Sequence, residues 1–138
     1  MTPNLPFRDT ALLIRTDFDD DAAWQELRRA VVAPSVPDGF TALLDFIDDT
    51  RFAGMTADEA ASTPPAGEEP GFVLLADTVT FAHPERPMLV VDRRDDPGRH
   101  FRVVPASAWS VENNLSLANM DFREFAMTVG DDGIFRGF

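Results

Sequence analysis

The sequence predicts a single α/β (or α+β) domain: a mixed β-sheet of about five strands with flanking helices, in the order β-α-β-α-β-β-β-α. Three observations carry this. Five short apolar runs of strand length are spread along the chain, and four of them stop at an aspartate. Helical spacing and helix-start signals fall between the early runs. A chain of 138 residues has room for one core and too little for two, so residues 1–138 read as one domain.

In chain order, residues 1–9 read as an N-terminal tail that packs through Phe7. "ALLIRTD" (11–17) is the first strand. Trp24, Leu27 and Val31 then recur at helical spacing, and Pro34 and Pro37 stop that helix. "FTALLDFI" (40–47) is the second strand. Within "MTADEAAS" (55–62), Thr56 stands three residues before Glu59, the pattern of a capping box. "TPPAGEEPG" (63–71) is an exposed loop by composition. "FVLLAD" (72–77), "PMLVVD" (87–92) and "HFRVVP" (100–105) are the remaining strands, with "TVTFAHPER" as a linker and "RRDDPGR" as a turn.

"ASAWSVENNLSLAN" reads as a helical turn and a compact loop. Asp121 with Glu124 forms a second capping box, Met120 and Phe125 a hydrophobic staple, and Gly130 the C′ residue. That predicts a helix over 122–129, followed by a 130–138 tail that docks through Phe135 and Phe138.

Composition removes whole classes of chemistry. There is no Cys, hence no disulfide, thiolate nucleophile or thiolate-bound metal. All twelve basic residues are Arg, so a Schiff-base or Walker A lysine is impossible. The formal net charge of −12 repels phosphate backbones, which argues against a nucleic-acid partner and for a basic protein partner. The nearest basic cluster (Arg86, Arg93, Arg94, Arg99, Arg102) is interrupted by Asp92, Asp95 and Asp96 and reads as a mixed-charge hairpin. No apolar run approaches the roughly 18–20 residues of a membrane span. "MTPNLPFRDT" lacks the basic and apolar regions of a secretory signal, so the expected address is cytoplasmic.

The stretch "LLIRTDFDDDAAW" (12–24) poses the main chemical question. Asp17, Asp48, Asp77 and Asp92 each end an apolar run. In a parallel sheet the carboxyl ends of the strands share one edge, where ligands bind. Carboxylates converging there suit Mg²⁺ and a phosphorylated substrate, with Arg15 neutralising substrate charge. Known motifs fail on named residues. The DxDx[TV] pattern of haloacid-dehalogenase-like phosphatases meets Asp21 in place of Thr or Val. A receiver domain lacks its Lys. An EF-hand loop starting at Asp17 finds Ala22 and Arg28 where Gly and Glu belong. A helix start satisfies every acid: Asp19 or Asp20 caps, and the others sit in the first turn, where the helix dipole favours them. His83 and His100, the only histidines, read as surface residues, and HExxH and GxSxG are absent.

The densest stretch is "WSVENNLSLANMDFREF" (109–125). Trp109 offers an aromatic anchor, and Glu112, Asn113, Asn114 and Asn119 offer orienting polar groups. The competing reading is a packed loop whose Asn side chains satisfy its own backbone. Together with "ALLIRTDFDDDAAWQEL", "PMLVVDRRDDPGRHFRVVP" and "DDGIFRGF", this stretch resembles a family of small uncharacterised acidic proteins from GC-rich bacteria. The resemblance covers nearly the whole chain. It implies no catalytic residue, and it implies that the C-terminal block belongs to the domain.

The expected function is therefore a non-enzymatic binding or regulatory module acting through protein–protein contact, without a cofactor, on a surface that includes Trp109, Glu112, Asn113, Asn114 and Asn119. The alternative is an Mg²⁺-dependent enzyme acting on an anionic or phosphorylated small molecule, with Asp17, Asp48, Asp77 and Asp92 as candidate ligands. A homodimer formed through an edge strand or the Phe-rich tail is a further option.

Overall fold

The computed structural model describes residues 3–6, 8–36, 38–63 and 71–138. The chain folds as a single α/β domain around a mixed six-stranded sheet. Its elements are β1 (Ala11–Arg15), α1 (Asp21–Val32), β2 (Leu44–Ile47), α2 (Ala57–Ser62), β3 (Phe72–Ala76), α3 (Thr78–Ala82), β4 (Met88–Asp92), β5 (His100–Val103), α4 (Ala108–Ser116), α5 (Phe122–Ala126) and β6 (Ile134–Phe135). Short 3₁₀ turns cover Thr50–Phe52 and Pro105–Ser107.

The strands lie in the order β2-β1-β3-β4-β5-β6. β1 runs parallel to β2 and β3, β4 is antiparallel to β3 and β5, and β6 is parallel to β5. The carboxyl ends of β2, β1 and β3 therefore share one edge, and that of β4 lies on the opposite edge. β1, β3 and β4 are buried at every residue, as strands covered on both faces must be. One face packs Leu13, Leu74 and Val90 against Trp24 and Leu27 of α1, Val111 of α4 and Phe125 of α5. The other packs Ile14, Val73 and Leu75 against Phe52, Met55 and Ala60.

Helix starts follow the expected chemistry. Asp20 caps α1 by accepting the Ala23 N–H at 3.0 Å. Thr56 accepts from the Glu59 N–H, and Glu59 returns the bond to the Thr56 N–H. At α5 the Glu124 carboxylate accepts the Asp121 N–H at 3.0 Å.

Several expectations are corrected. Phe40–Leu43 precede β2 instead of opening it, because their path is set by bonds to α4 described below. The linker after β3 holds α3, which starts with Asp77 and Thr80 in a reciprocal capping box. The stretch around Trp109 is a nine-residue helix and not a single turn. α5 stops at Ala126, where the Thr128 N–H and hydroxyl both bond the Phe125 carbonyl; Gly130 does not close it. The 130–138 segment supplies a sixth strand, with the positive φ of its turn taken by Gly133. At the N-terminus Leu5 is buried. Phe7, and residues 64–70 of the expected 63–71 loop, lie outside the described residues. The start of that loop is nonetheless anchored: Arg93 donates to the carbonyls of Ala60 and Thr63 at the end of α2.

Asp77 joins the two halves of the sheet. Both its oxygens accept from Arg102 on β5, at 2.9 and 2.8 Å. Burial pushes the Asp77 carboxyl up, but the Arg102 hydrogen bonds and charge and the Thr80 bonds outweigh that and hold it below its usual value. A depressed folded-state pKa contributes stability above the unfolded value, about 4, and that stability is lost as the pH falls through the folded value. Urea titrations across pH 5 to 2 are therefore expected to show a steep loss of stability in acid. Asp77→Asn should flatten part of that loss, and an unchanged slope would show that the pair carries none of it.

Candidate functional site

The segment between α1 and β2 exposes large apolar side chains beside α4. Pro34 ends α1 and Gly39 takes a positive φ, so the segment loops outward before returning to the sheet edge. On it Val36 is 94% exposed, Phe40 51% and Leu43 59%. The Phe40 ring stacks on Trp109 of α4, with centroids 5.0 Å apart and planes 28° apart.

Two side chains of α4 hold this segment in place. Glu112, only 4% exposed, accepts the Leu43 N–H through Oε1 at 2.6 Å. Asn113 donates from its side-chain nitrogen to the Thr41 carbonyl at 3.4 Å. Trp109, Glu112, Asn113 and Ser116 stand at i, i+3, i+4 and i+7, so they share one helix face. A recess opens toward each end of it. The larger, about 830 Å³, lies between Ala30, Pro34 and Val36 on one side and Val104, Pro105 and Trp109 on the other. The smaller, about 360 Å³, is walled by residues that include Asp9, Thr10, Leu43, Arg94, Glu112 and Leu115.

Three of the five binding residues expected from sequence thus meet on one surface: Trp109, Glu112 and Asn113. The other two serve the helix itself. The Asn114 side chain donates to the Ser110 carbonyl, and the Asn114 carbonyl accepts the Asn119 N–H at 2.9 Å. With Ala118 N–H bonded to the Leu115 carbonyl, this is a Schellman closure with Ala118 in the left-handed region at φ 56°. The Asn119 side chain is exposed and makes no hydrogen bond among the described residues. Val36, Phe40 and Leu43 were not expected as site residues. The available signal was apolar side chains placed among Pro34, Ser35, Pro37, Asp38 and Gly39, where a core does not need them.

The strand-end aspartates divide. Asp17, Asp48 and Asp77 share one sheet edge, whereas Asp92 sits on the other because β4 runs the opposite way. All are engaged. Asp17 accepts the Asp19 N–H, and Asp48 pairs with Arg15 at 3.3 Å. Asp77 is bidentate with Arg102. Buried Asp92 accepts the N–H groups of Arg94, Asp95 and Asp96, which builds the β4–β5 turn. Among the described residues no three His, Asp or Glu side chains stand together as a cation site. Arg15, expected to face a substrate, is 3% exposed and bonds Asp21, Asp48 and the Asp17 carbonyl. His83 accepts the Glu85 N–H through Nδ1, and exposed His100 lies 3.0 Å from the Gly98 carbonyl.

Glu112→Ala removes the acceptor for the part-buried Leu43 N–H, at a cost of about 1.5–3 kcal/mol, the range for a bond to a charged group. The Leu43 amide is then expected to exchange with solvent at least tenfold faster by NMR, while amides in β3 and β4 change far less. Equal protection of Leu43 in the variant would show that Glu112 does not hold the segment.

No helix among the described residues is long and apolar enough to cross a membrane. Comparison with curated proteins finds no match. A family model matches residues 10–138, nearly the whole chain. The chain belongs to the family described as "Domain of unknown function (DUF6924)".

Proposed function

We propose that this protein is a non-enzymatic binding or regulatory module that works through protein–protein contact across the 33–43 segment and the Trp109 face of α4. The observation that carries the reading is the Phe40–Trp109 stack with Val36 and Leu43 beside it. These large apolar groups are held toward solvent by two side-chain bonds from α4. Apolar groups fixed in the open cost solubility, and aromatic anchors of this kind concentrate binding energy at interfaces. The partner is a basic protein, because a surface with a net charge of −12 steers cations toward it and opposes both nucleic acid and a second copy of the chain. The setting we propose is the cytoplasm of a GC-rich bacterium.

A photo-crosslinking residue at Val36, with one at Val79 on α3 as control, tests this. The expected outcome is a partner captured from Val36 alone. Its affinity, measured with purified proteins, should fall at least tenfold, about 1.4 kcal/mol, in Phe40→Ala. Equal capture from Val79, or an affinity that Phe40→Ala leaves unchanged, overturns the reading.

One observation favours the alternative of an Mg²⁺-dependent enzyme acting on an anionic or phosphorylated small molecule. β2, β1 and β3 are adjacent and parallel, which brings Asp17, Asp48 and Asp77 to the edge where open α/β sheets bind ligands. Against it stands the pairing of Asp48 with Arg15 and of Asp77 with Arg102. Melting in EDTA and then in millimolar Mg²⁺ separates the readings, since a ion bound only by the native state raises Tm. The expected result is no rise; a rise that disappears in Asp17→Asn would establish the metal site.

A further inference from the structure

The smaller recess beside Leu43 contains a charge that the fold does not use up. Glu112 is buried, and its Oε1 is committed to the Leu43 N–H. Its Oε2 accepts no hydrogen bond among the described residues, yet it is not among the sealed polar atoms without a partner. Glu112 is part of the wall of the recess. A buried carboxylate oxygen keeps its charge cheaply only where a donor reaches it. The recess supplies the way in.

The walls describe the donor. Leu43 and Leu115 line the recess with Glu112 and offer apolar surface of the kind that takes the methylene stem of a long basic side chain. Asp9 adds a second acid at the mouth, and Thr10 is turned away, its hydroxyl donating to Asp45. Arg94 also lines the recess, and its side chain lies against the Gly71 backbone: a Cβ built there would lie 2.7 Å from Arg94 Nε. Leu43 belongs both to this recess and to the exposed apolar segment, which makes the two parts of one surface.

We infer that the Glu112 recess receives a lysine or arginine side chain of the partner protein, which donates to Glu112 Oε2 while its stem lies between Leu43 and Leu115. This rests on the protein-contact reading and adds the chemistry of the partner: a basic side chain placed next to whatever covers Phe40 and Trp109.

The test uses the whole chain and two probes, N-acetyl-arginine amide and N-acetyl-lysine amide, followed by the amide NMR signals of Leu43, Leu115 and Ser116. At least one probe is expected to cause saturable shifts there, and N-acetyl-norleucine amide none. Glu112→Gln keeps the Oε1 acceptor for Leu43 and removes the charge, so it should weaken the probe at least tenfold. Ser116→Arg, at an exposed position one helical turn beyond Glu112, should block the probe by placing a guanidinium in the recess. A probe that fails to bind while Val36 still captures a partner would defeat this inference alone, which separates its failure from failure of the protein-contact reading. Absence of saturable shifts, shifts equal in Glu112→Gln, or spermidine binding tighter than either blocked amino acid would each overturn the assignment.

Discussion

The guanidinium of Arg15 is the constraint on which the parallel half of the fold depends. It ends β1, is almost fully buried, and spends its donors on three different pieces of chain. These are the Asp17 carbonyl in the loop after β1, Asp21 in the first turn of α1, and Asp48 after β2. It also faces the rings of Phe18 and Trp24, at 4.5 and 5.7 Å from their centroids. A planar cation with five donors can serve all these partners at once, and an ammonium could not. Removing it would leave acids without their counter-charge at the point where a strand becomes a helix.

The run of aspartates that reads as chemistry is thus mostly construction. Asp20 caps a helix, Asp21 pairs with Arg15, Asp77 caps α3 and grips Arg102, and Asp92 folds a turn around itself. Arginine is the only basic side chain, and at Arg15, Arg93 and Arg102 it is spent inside the fold. Half as many cations as acids leaves the excess negative charge on the surface, where it shapes long-range attraction more than stability.

Local signals are legible in this sequence, and distant ones are not. The start of α1 at Asp20 and the Thr56–Glu59 box rest on neighbours within one helical turn, so the sequence displays them. The buried face of α1 follows from the spacing of Trp24, Leu27 and Val31. The sequence understates α4 because Ser110, Asn113 and Asn114 are poor helix formers. Packing of Ala108 and Val111 into the core overrides that weakness. Phe40–Leu43 look like strand because they are apolar; only Glu112 and Asn113, some seventy residues on, pull them out of the sheet. Strand direction, which sends Asp92 to the opposite edge from Asp77, is a property of the whole topology. Trp109, Glu112 and Asn113 stand out by residue type, whereas Val36, Phe40 and Leu43 do not, because a hydrophobic residue in a loop carries no local mark of what it faces.

The sheet order also divides the work of assembly. Val90 finds Phe101 across a turn, and Leu74 finds Val90 across the connection that carries α3, so β3, β4 and β5 close the smaller loops of the sheet. Leu13 must meet both Phe46 and Leu74, so β1 brings together segments separated by two helices. Chain entropy lost on closing a loop grows with its length, and it is regained only when the contact forms. The meander is the inexpensive half of this molecule and the central parallel strand the slow one. Until β1 slots in, the flank of β3 that it covers is an open edge of an unfinished sheet, the kind of surface on which newly made chains stick to one another.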